Sequence, residues 1–393
     1  MLKILHTADW HLGKTFRNTD FSLLEIQTHI LEEIVEMAEK EDVDVVLIAG
    51  DIFDSYNPPF KAEELFYSTL KELTAGGRRL VIAIAGNHDA PEKFDVPKPL
   101  AAGFHAMVIS GNPQDDLSLF SFATNYFELK GKGNFLHAAF PSKNTAISFL
   151  VLPYPSEVRL KVALKTKDST NYEGYLHQIL QAVPPYRADE HIIVSHLFVQ
   201  GGQKSGSERD FTIGGVQLIS PKSFPKHANY VALGHLHSHQ RLGDNIFYSG
   251  SIFPFDMQEA NQNKGVLLRH PDGKTEFYPF TRQKPVKSLY FNTIEEALNQ
   301  SVDYQKSLVF LRFPPLAVGP ENIAKLRQAY SHNLLGIHFE MPKPEIDELI
   351  PVADLTPKEL FVEFYKAHFH KTPDEVMVNL FLKFVEELKN ETN

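Results

Sequence analysis

Residues 43–54 read VDVVLIAGDIFD and residues 80–89 read LVIAIAGNHD, and these two stretches decide the fold. Each is an apolar run that ends on a glycine followed by groups able to hold a cation or a proton. Runs without polar alternation read as strands buried on both faces. Between them, Lys61 to Leu73 carries a helical spacing that Gly76-Gly77 terminates. Upstream, Leu2 to Leu5 is a short strand. After it, Leu23, Leu24, Ile30, Leu31, Ile34, Val35 and Ala38 recur at three- and four-residue intervals behind the N-cap candidates Asp20 and Ser22. Strand and helix alternate, so the first third is α/β. Downstream, His191 to Val194, Tyr230 to Leu233, Ile246 to Tyr248, Val266 to Arg269 and Thr275 to Tyr278 read as strands. The expectation is an α/β protein whose core is two sheets flanked by helices.

The pattern changes around Gln283 to Pro285. Strand Lys287 to Phe291, helix Ile294 to Leu298, strand Leu308 to Phe313, helix Pro320 to Tyr330 and strand Leu335 to Glu340 form a compact α+β unit. Pro342 and Pro344 mark a linker, after which Thr356-Pro357 and Thr372-Pro373 each open a helix. The expected domains are therefore residues 1–285, 286–345 and 346–393.

The chain has 393 residues, of which 43% are hydrophobic, and no cysteine. No apolar run approaches the ~18 residues of a membrane span. Met1-Leu2-Lys3 leads directly into a strand without a signal-peptide pattern, so a cytoplasmic location is expected. Without thiols, disulfides and cysteine-based zinc or iron–sulfur sites are excluded, and any metal site is expected to use His, Asp, Glu or Asn. The net charge is −10, and residues 1–90 carry 16 acidic against 8 basic side chains. That balance excludes an all-over basic coat for nucleic acid, although bound cations can still bring a polyanion to an acidic surface.

Five short motifs follow predicted strands: Asp9-Trp10-His11, Gly50-Asp51-Ile52-Phe53-Asp54, Gly86-Asn87-His88-Asp89, Ser195-His196 and Gly234-His235-Leu236-His237. Groups at the C-terminal ends of strands converge on one edge of an α/β sheet. The preceding glycines allow sharp exits or close backbone approach. A single Asp-x-His is weak evidence, but the ordered set supplies seven side chains, Asp9, His11, Asp51, Asn87, His196, His235 and His237. Two cations sharing a bridging carboxylate need about seven, and such ligands suit manganese, iron or zinc.

These motifs, in this order, resemble those of the calcineurin-like metallophosphoesterases. Further support lies in His11-Leu12-Gly13-Lys14, in Tyr248-Ser249-Gly250-Ser251 and in Lys264-Gly265-Val266. With the α+β unit and helical tail, they are similar to the nuclease subunits of bacterial double-strand-break repair complexes. The resemblance implies one metal on Asp9, His11, Asp51 and His237, and another on Asp51, Asn87, His196 and His235. It implies manganese as the ion in both positions. His88 would stabilise the transition state or act as general acid, and Asp54 would orient and charge its imidazole. Asp89 reads better as a capping carboxylate for the turn before Pro91.

Phosphoesterase chemistry does not name the substrate. Lys14, Arg17 and Asn18 beside the first motif, and Lys204 and Arg209 within residues 200–215, are candidate DNA contacts. Leu360, Phe361, Phe364, Tyr365 and Phe369, then Val376, Met377, Leu380, Phe381, Phe384, Val385 and Leu388, make two apolar helix faces. The resemblance implies that they dock a coiled-coil ATPase, with packing back onto the parent domain as the alternative. Helix Lys61 to Leu73 and residues 94–105 would supply a homodimer face. The expected function is a manganese-dependent DNA exonuclease and endonuclease acting on double-strand ends and hairpins. The alternatives are a stand-alone phosphodiesterase or phosphatase for small substrates, and a non-catalytic DNA-end scaffold.

Overall fold

The structure is a computed structural model that describes residues 2–16, 23–156, 159–160, 172–206, 208, 218–315, 319–340, 356–369 and 371–382. The chain divides into two compact units, residues 1–312 with 318–338, and residues 313–317 with 339–393.

In the first unit, β1 (Ile4–Thr7), β2 (Val45–Ala49), β3 (Leu80–Ile84) and β4 (Met107–Ser110) run parallel. The intervening helices are α1 (Leu24–Lys40), α2 (Phe60–Leu73), α3 (Glu92–Asp95) and α4 (Lys98–Gly103). The apolar stripes read from the sequence are the faces that α1 and α2 bury: Ile30, Leu31, Ile34 and Ala38 on one, Ala62, Phe66, Leu70 and Leu73 on the other. Every residue of β2 and β3 is buried, as expected of strands covered on both sides. The N-cap candidates Asp20 and Ser22 lie outside the described residues.

A second sheet follows, built from β5 (Phe122–Ala123), β6 (Glu128–Lys132), β7 (Phe135–Phe140), β8 (Thr145–Leu152), β9 (Glu190–His196), β10 (Tyr230–Gly234), β11 (Gln240–Leu242) and β12 (Ile246–Tyr248), with α5 (Tyr172–Leu180) ahead of β9. Its order is β11-β12-β10-β9-β8-β7-β6-β5. The hairpin β13 (Gly265–Arg269) and β14 (Thr275–Pro279) then returns to the first sheet beside β1, giving β14-β13-β1-β2-β3-β4. Two sheets thus form the core, as expected. They are pinned through His6, whose Nδ1 lies 3.0 Å from the Tyr230 hydroxyl and whose Nε2 lies 3.2 Å from the Leu233 carbonyl. Burial lowers the His6 pKa to about 3, so the ring is neutral, with Nε2–H donating and Nδ1 accepting.

Register decides where the site forms. Val45 pairs with Ile4 and with Leu80, so β1, β2 and β3 end level and their C-terminal turns share one edge. His196 pairs with Gly234, which brings the ends of β9 and β10 together in the other sheet.

One buried cation secures this framework. The Arg79 guanidinium donates to the carbonyls of Val43 (2.9 Å), Leu73 (2.8 Å) and Ala38 (2.9 Å), satisfying the ends of both helices and the entry to β2. Arg79→Met is expected to destabilise the protein by about 3 kcal/mol, because several buried carbonyls lose a charged donor at once. Calorimetry should show a lower melting temperature, and an unchanged one would mean that water replaces the guanidinium.

A third sheet, in the order β15-β16-β17, comprises β15 (Val286–Tyr290), β16 (Leu308–Phe313) and β17 (Leu334–Phe339), with α6 (Ile294–Asn299) and α7 (Pro320–Tyr330) between the strands. Its elements lie within a residue of the expected boundaries. In the second unit, α8 (Pro357–Phe369) opens on a reciprocal cap, with Thr356 N donating to Glu359 Oε2 (2.8 Å) and Glu359 N donating to Thr356 Oγ1 (3.3 Å). Residues 375–382 are also helical, and the Phe361 and Phe381 rings stack at 4.3 Å. The expected opening at Thr372-Pro373 is corrected: Asp374 caps this helix, accepting from Met377 N at 2.8 Å. The linker prolines 342–351 and Phe384, Val385 and Leu388 lie outside the described residues. Among the described residues, no helix is long and apolar enough to cross a membrane.

Candidate metal centre

The turns after β1, β2, β3 and β10, and the end of β9, meet between the two core sheets. Asp9 N donates to Gly50 O (2.9 Å) and His11 N to Asp51 O (3.0 Å), which locks the first two turns together. The His235 amide donates to both Asp9 oxygens, at 3.0 and 3.1 Å, and joins the second sheet to the first. Asp9, His11, Asp51, Asn87, His196, His235 and His237 are all buried. Four of them adopt positive φ, Asp9 (52°), His11 (45°), Asp51 (50°) and His235 (101°). Non-glycine residues rarely adopt such φ, and clusters of them mark functional turns.

Close approach explains two of the glycines. A Cβ at Gly86 would lie 2.1 Å from Asp51 Oδ1, and one at Gly234 would lie 2.0 Å from Ala49 O. Any side chain there would push the turns apart.

Asp51 sits at the centre. Its Oδ1 accepts from the His88 amide at 2.8 Å, and Oδ2 lies 3.5 Å from His196 Nε2, 3.7 Å from His11 Nε2 and 3.8 Å from His88 Nε2. Burial alone would raise the Asp51 carboxyl, but attraction to His196, His88 and His11 in their protonated forms, together with the His88 amide, outweighs it and holds the group well below the usual carboxylate range. With neutral rings, a bound cation would have to supply that attraction. Asp9 goes the other way, raised by burial and by Asp51 despite the His235 amide. Burial lowers His11 and His235 to about 3, and lowers His196 as well, so these rings are neutral as metal ligands must be.

The donor set fits cations. His11 Nε2 and His237 Nε2 face each other at 3.2 Å. His196 Nδ1 lies 2.9 Å from the Ala49 carbonyl, so it carries the proton and Nε2 turns its lone pair toward Asn87 Oδ1, 2.8 Å away. His235 Nδ1 lies 2.9 Å from the same oxygen, while Asn87 Nδ2 is buried without a hydrogen-bond partner. The His196 Nε2 lone pair aimed at the Asn87 oxygen, beside two buried carboxylates, is an arrangement that a positive charge between them would satisfy. Asp9 with His11 and His237, Asp9 with Asp51 and His196, and His11 with Asp51 and His88 are each close enough to share an ion.

His88 differs from the expectation in one contact. Its Nδ1 lies 3.0 Å from the main-chain carbonyl of Asp54, not from the Asp54 carboxylate. That carboxylate instead takes Lys14 Nζ at 2.8 Å and lies 3.5 Å from His11 Nδ1. The chain turns at Asp54 so that the carbonyl faces the ring and the side chain faces Lys14, and orientation of His88 therefore passes through the backbone. Lys14, expected to contact DNA, is committed to this ion pair and also lies over the Phe255 ring. Lys204 lies 5.0 Å from the Phe198 ring. Arg17, Asn18 and Arg209 lie outside the described residues. Asp89 accepts from the amides of Ile52 (3.0 Å), Phe53 (2.8 Å) and Gly86 (2.7 Å), bracing two site turns rather than capping its own alone. Burial and the nearby Asp51 charge push its carboxyl up to about 7, against the pull of those three amides.

Sequence reasoning missed three supports. Glu208 accepts from the His237 amide at 3.0 Å, Glu259 lies 3.0 Å from His237 Nδ1, and Arg159 donates to the carbonyls of Gly86 (3.1 Å) and Asp89 (2.8 Å). None of them belongs to a periodic pattern in the sequence, and each acts on a group far from it in the chain. The only signal for Glu259 was its position five residues before the Lys264-Gly265-Val266 motif.

Residues 2–239 match the family model described as calcineurin-like phosphoesterase. The SbcD subunit of the SbcCD nuclease from Bacillus subtilis (strain 168) is 30% identical over 417 residues, an alignment spanning 99% of each chain. The family match covers the strand-end turns described above, from Asp9 to His237. A buried cradle of neutral imidazoles and carboxylates is what hydrolysis of a phosphate ester by divalent metal requires, and the chain belongs to the calcineurin-like phosphoesterase family.

Proposed function

We propose that this chain is the nuclease subunit of an SbcCD-like DNA repair complex, cutting DNA at double-strand ends and hairpins. One observation carries the reading: ligand-bearing turns converge on the Asp51 carboxylate in a chain aligned over 99% of its length with a nuclease subunit. In this reading Asp9, His11, Asp51 and His237 hold one ion, and Asp51, Asn87, His196 and His235 hold the other. Oxygen and nitrogen donors without sulfur suit Mn²⁺ as well as iron or zinc, and Mn²⁺ is the ion of this proposal. Divalent cations held there supply Lewis acidity toward a phosphoryl oxygen and acidify water.

The chain's own groups do the rest. His88 Nδ1–H is fixed on the Asp54 carbonyl, so Nε2 is the atom that faces the phosphate and, once the ring has taken up a second proton, would deliver it to the leaving oxygen. The Lys14–Asp54 ion pair beside His11 offsets the Asp54 charge on this wall of the site, so that the carboxylate does not stand unpaired against a polyanion.

The second unit and the α2–α4 surface supply partner faces. Phe364 (59%), Leu380 (53%) and Val376 (78%) are exposed on the tail helices, which fits docking of an SbcC-like coiled-coil ATPase. Phe60 (77%) and Val96 (82%), with Leu100 and Phe104, are exposed on and beside α2 and fit a homodimer.

The test uses the purified chain with Mn²⁺. It is expected to cleave duplex DNA ends and to hydrolyse bis-p-nitrophenyl phosphate, both lost on chelation and restored by Mn²⁺. The full chain should also co-purify with the ATPase, whereas a chain ending at Pro351 should not. Hydrolysis of the small ester without any DNA cleavage, even with the ATPase present, would replace this reading by that of a stand-alone phosphodiesterase.

A further inference from the structure

We propose that Glu259 is a positioning residue whose carboxylate fixes the His237 ring in the tautomer that turns the Nε2 lone pair toward His11. The inference rests on the metal reading above and adds a part that reading does not contain.

Glu259 is buried, and its two oxygens have separate tasks. Oε1 lies 3.0 Å from His237 Nδ1. Oε2 accepts from Lys264 Nζ (2.7 Å), Ser251 Oγ (3.3 Å) and Phe255 N (3.3 Å). An ionised carboxylate only accepts, so the proton on His237 must sit on Nδ1. Nε2 then presents a lone pair, 3.2 Å from His11 Nε2. Lys264 also donates to the His237 carbonyl at 2.8 Å, and Glu208 holds the His237 amide at 3.0 Å. The residue is thus gripped at amide, carbonyl and ring. A carboxylate behind a ligating histidine sets both the orientation and the basicity of the ring. Lys264 Nζ, buried 2.7 Å from Oε2, is the counter-charge that keeps the Glu259 carboxylate ionised.

The donors at Oε2 make a sharp test. In Glu259→Gln the amide oxygen takes the Oε2 seat, because the Lys264 ammonium and the Phe255 amide can only donate there. The amide NH₂ is forced toward His237 Nδ1, which must now accept, and the proton moves to Nε2. A side chain of the same shape should therefore reverse the tautomer and close the ligand position.

Nitrogen chemical shifts of ¹⁵N-histidine in the metal-free full-length protein, with His237 assigned by loss of its signal in His237→Gln, read the tautomer directly. The wild type should carry its proton on Nδ1 and Glu259→Gln should carry it on Nε2. Titration of Mn²⁺ alone by calorimetry should show one of the sites weakened by roughly 10- to 100-fold in the variant. A wild-type proton on Nε2 would overturn the inference whether or not the variant folds. So would a Glu259→Gln protein that keeps the proton on Nδ1, or that binds Mn²⁺ as tightly as the wild type. If the wild type takes up no Mn²⁺ while the tautomer still reverses, the metal reading fails and the role of Glu259 as tautomer setter stands.

Discussion

Replacing His88 by alanine is expected to reduce phosphodiester cleavage by roughly 10²- to 10⁴-fold, the usual worth of a positioned acid or base, with metal content unchanged. The backbone argues for this separation. The contact that joins residue 88 to the cradle is its amide on Asp51 Oδ1, at 2.8 Å, and alanine keeps that amide. What disappears is an imidazole whose Nε2 lies 3.8 Å from Asp51 Oδ2 and whose Nδ1 is held by the Asp54 carbonyl. Asp51→Asn should behave differently, removing the one negative charge that faces His196, His11 and His88 together. Both activity and bound Mn²⁺ should then fall, because three neutral rings cannot balance two cations without it. Elemental analysis of the two variants decides the point. His88 also lies close enough to His11 and Asp51 to share an ion, so a His88→Ala protein that has lost metal would make His88 a ligand and overturn its assignment to the proton.

Much of this site was legible because its parts are tied to strand ends. VVLIA and LVIAI announce buried parallel strands, and the register between them carries Asp9, Asp51 and Asn87 to a common edge. A resemblance carried by the same residues supplied the pairing of ligands with ions. Less visible were the strands between residues 107 and 152. There β6 alternates buried and exposed residues across ELKGK, and β5 has two residues, so neither has a run long enough to stand out. The supports at Glu208, Glu259 and Arg159 were invisible for another reason. Their meaning lies in which backbone group or ring each one reaches, and spacing does not encode that. Asp54 shows the same limit at one residue: its proximity to His88 was foreseen, but a carbonyl makes the contact while the carboxylate pairs with Lys14. A charge reversal at Lys14 would consequently leave Asp54 facing a negative charge and disturb His11, so it cannot serve as a clean probe of DNA contact.

Gly86→Ala should do damage out of proportion to one methyl group. The new carbon would sit 2.1 Å from Asp51 Oδ1 and 2.2 Å from Asp51 N, a distance at which something must move. Neither side can yield cheaply. Gly86 N is tied to Asp89 Oδ2 at 2.7 Å and Gly86 O to the Arg159 guanidinium at 3.1 Å, while Asp51 sits at positive φ with Oδ1 on the His88 amide. The turn carrying Asn87 and His88 and the turn carrying Asp51 would therefore separate, and a misplacement of about 1 Å in such a site costs roughly 100-fold in rate. Gly103→Ala is the matched control, because a Cβ there has no neighbour within 4 Å and the residue ends α4 without positive φ. It should leave cleavage and Mn²⁺ binding unchanged and shift stability by no more than about 1 kcal/mol. Cleavage of a small phosphodiester and Mn²⁺ affinity, measured on both variants, would show the contrast. A Gly86→Ala protein that retains wild-type values would mean that the two turns can part without cost, and the close approach at Gly86 would then have no part in assembling the ligands.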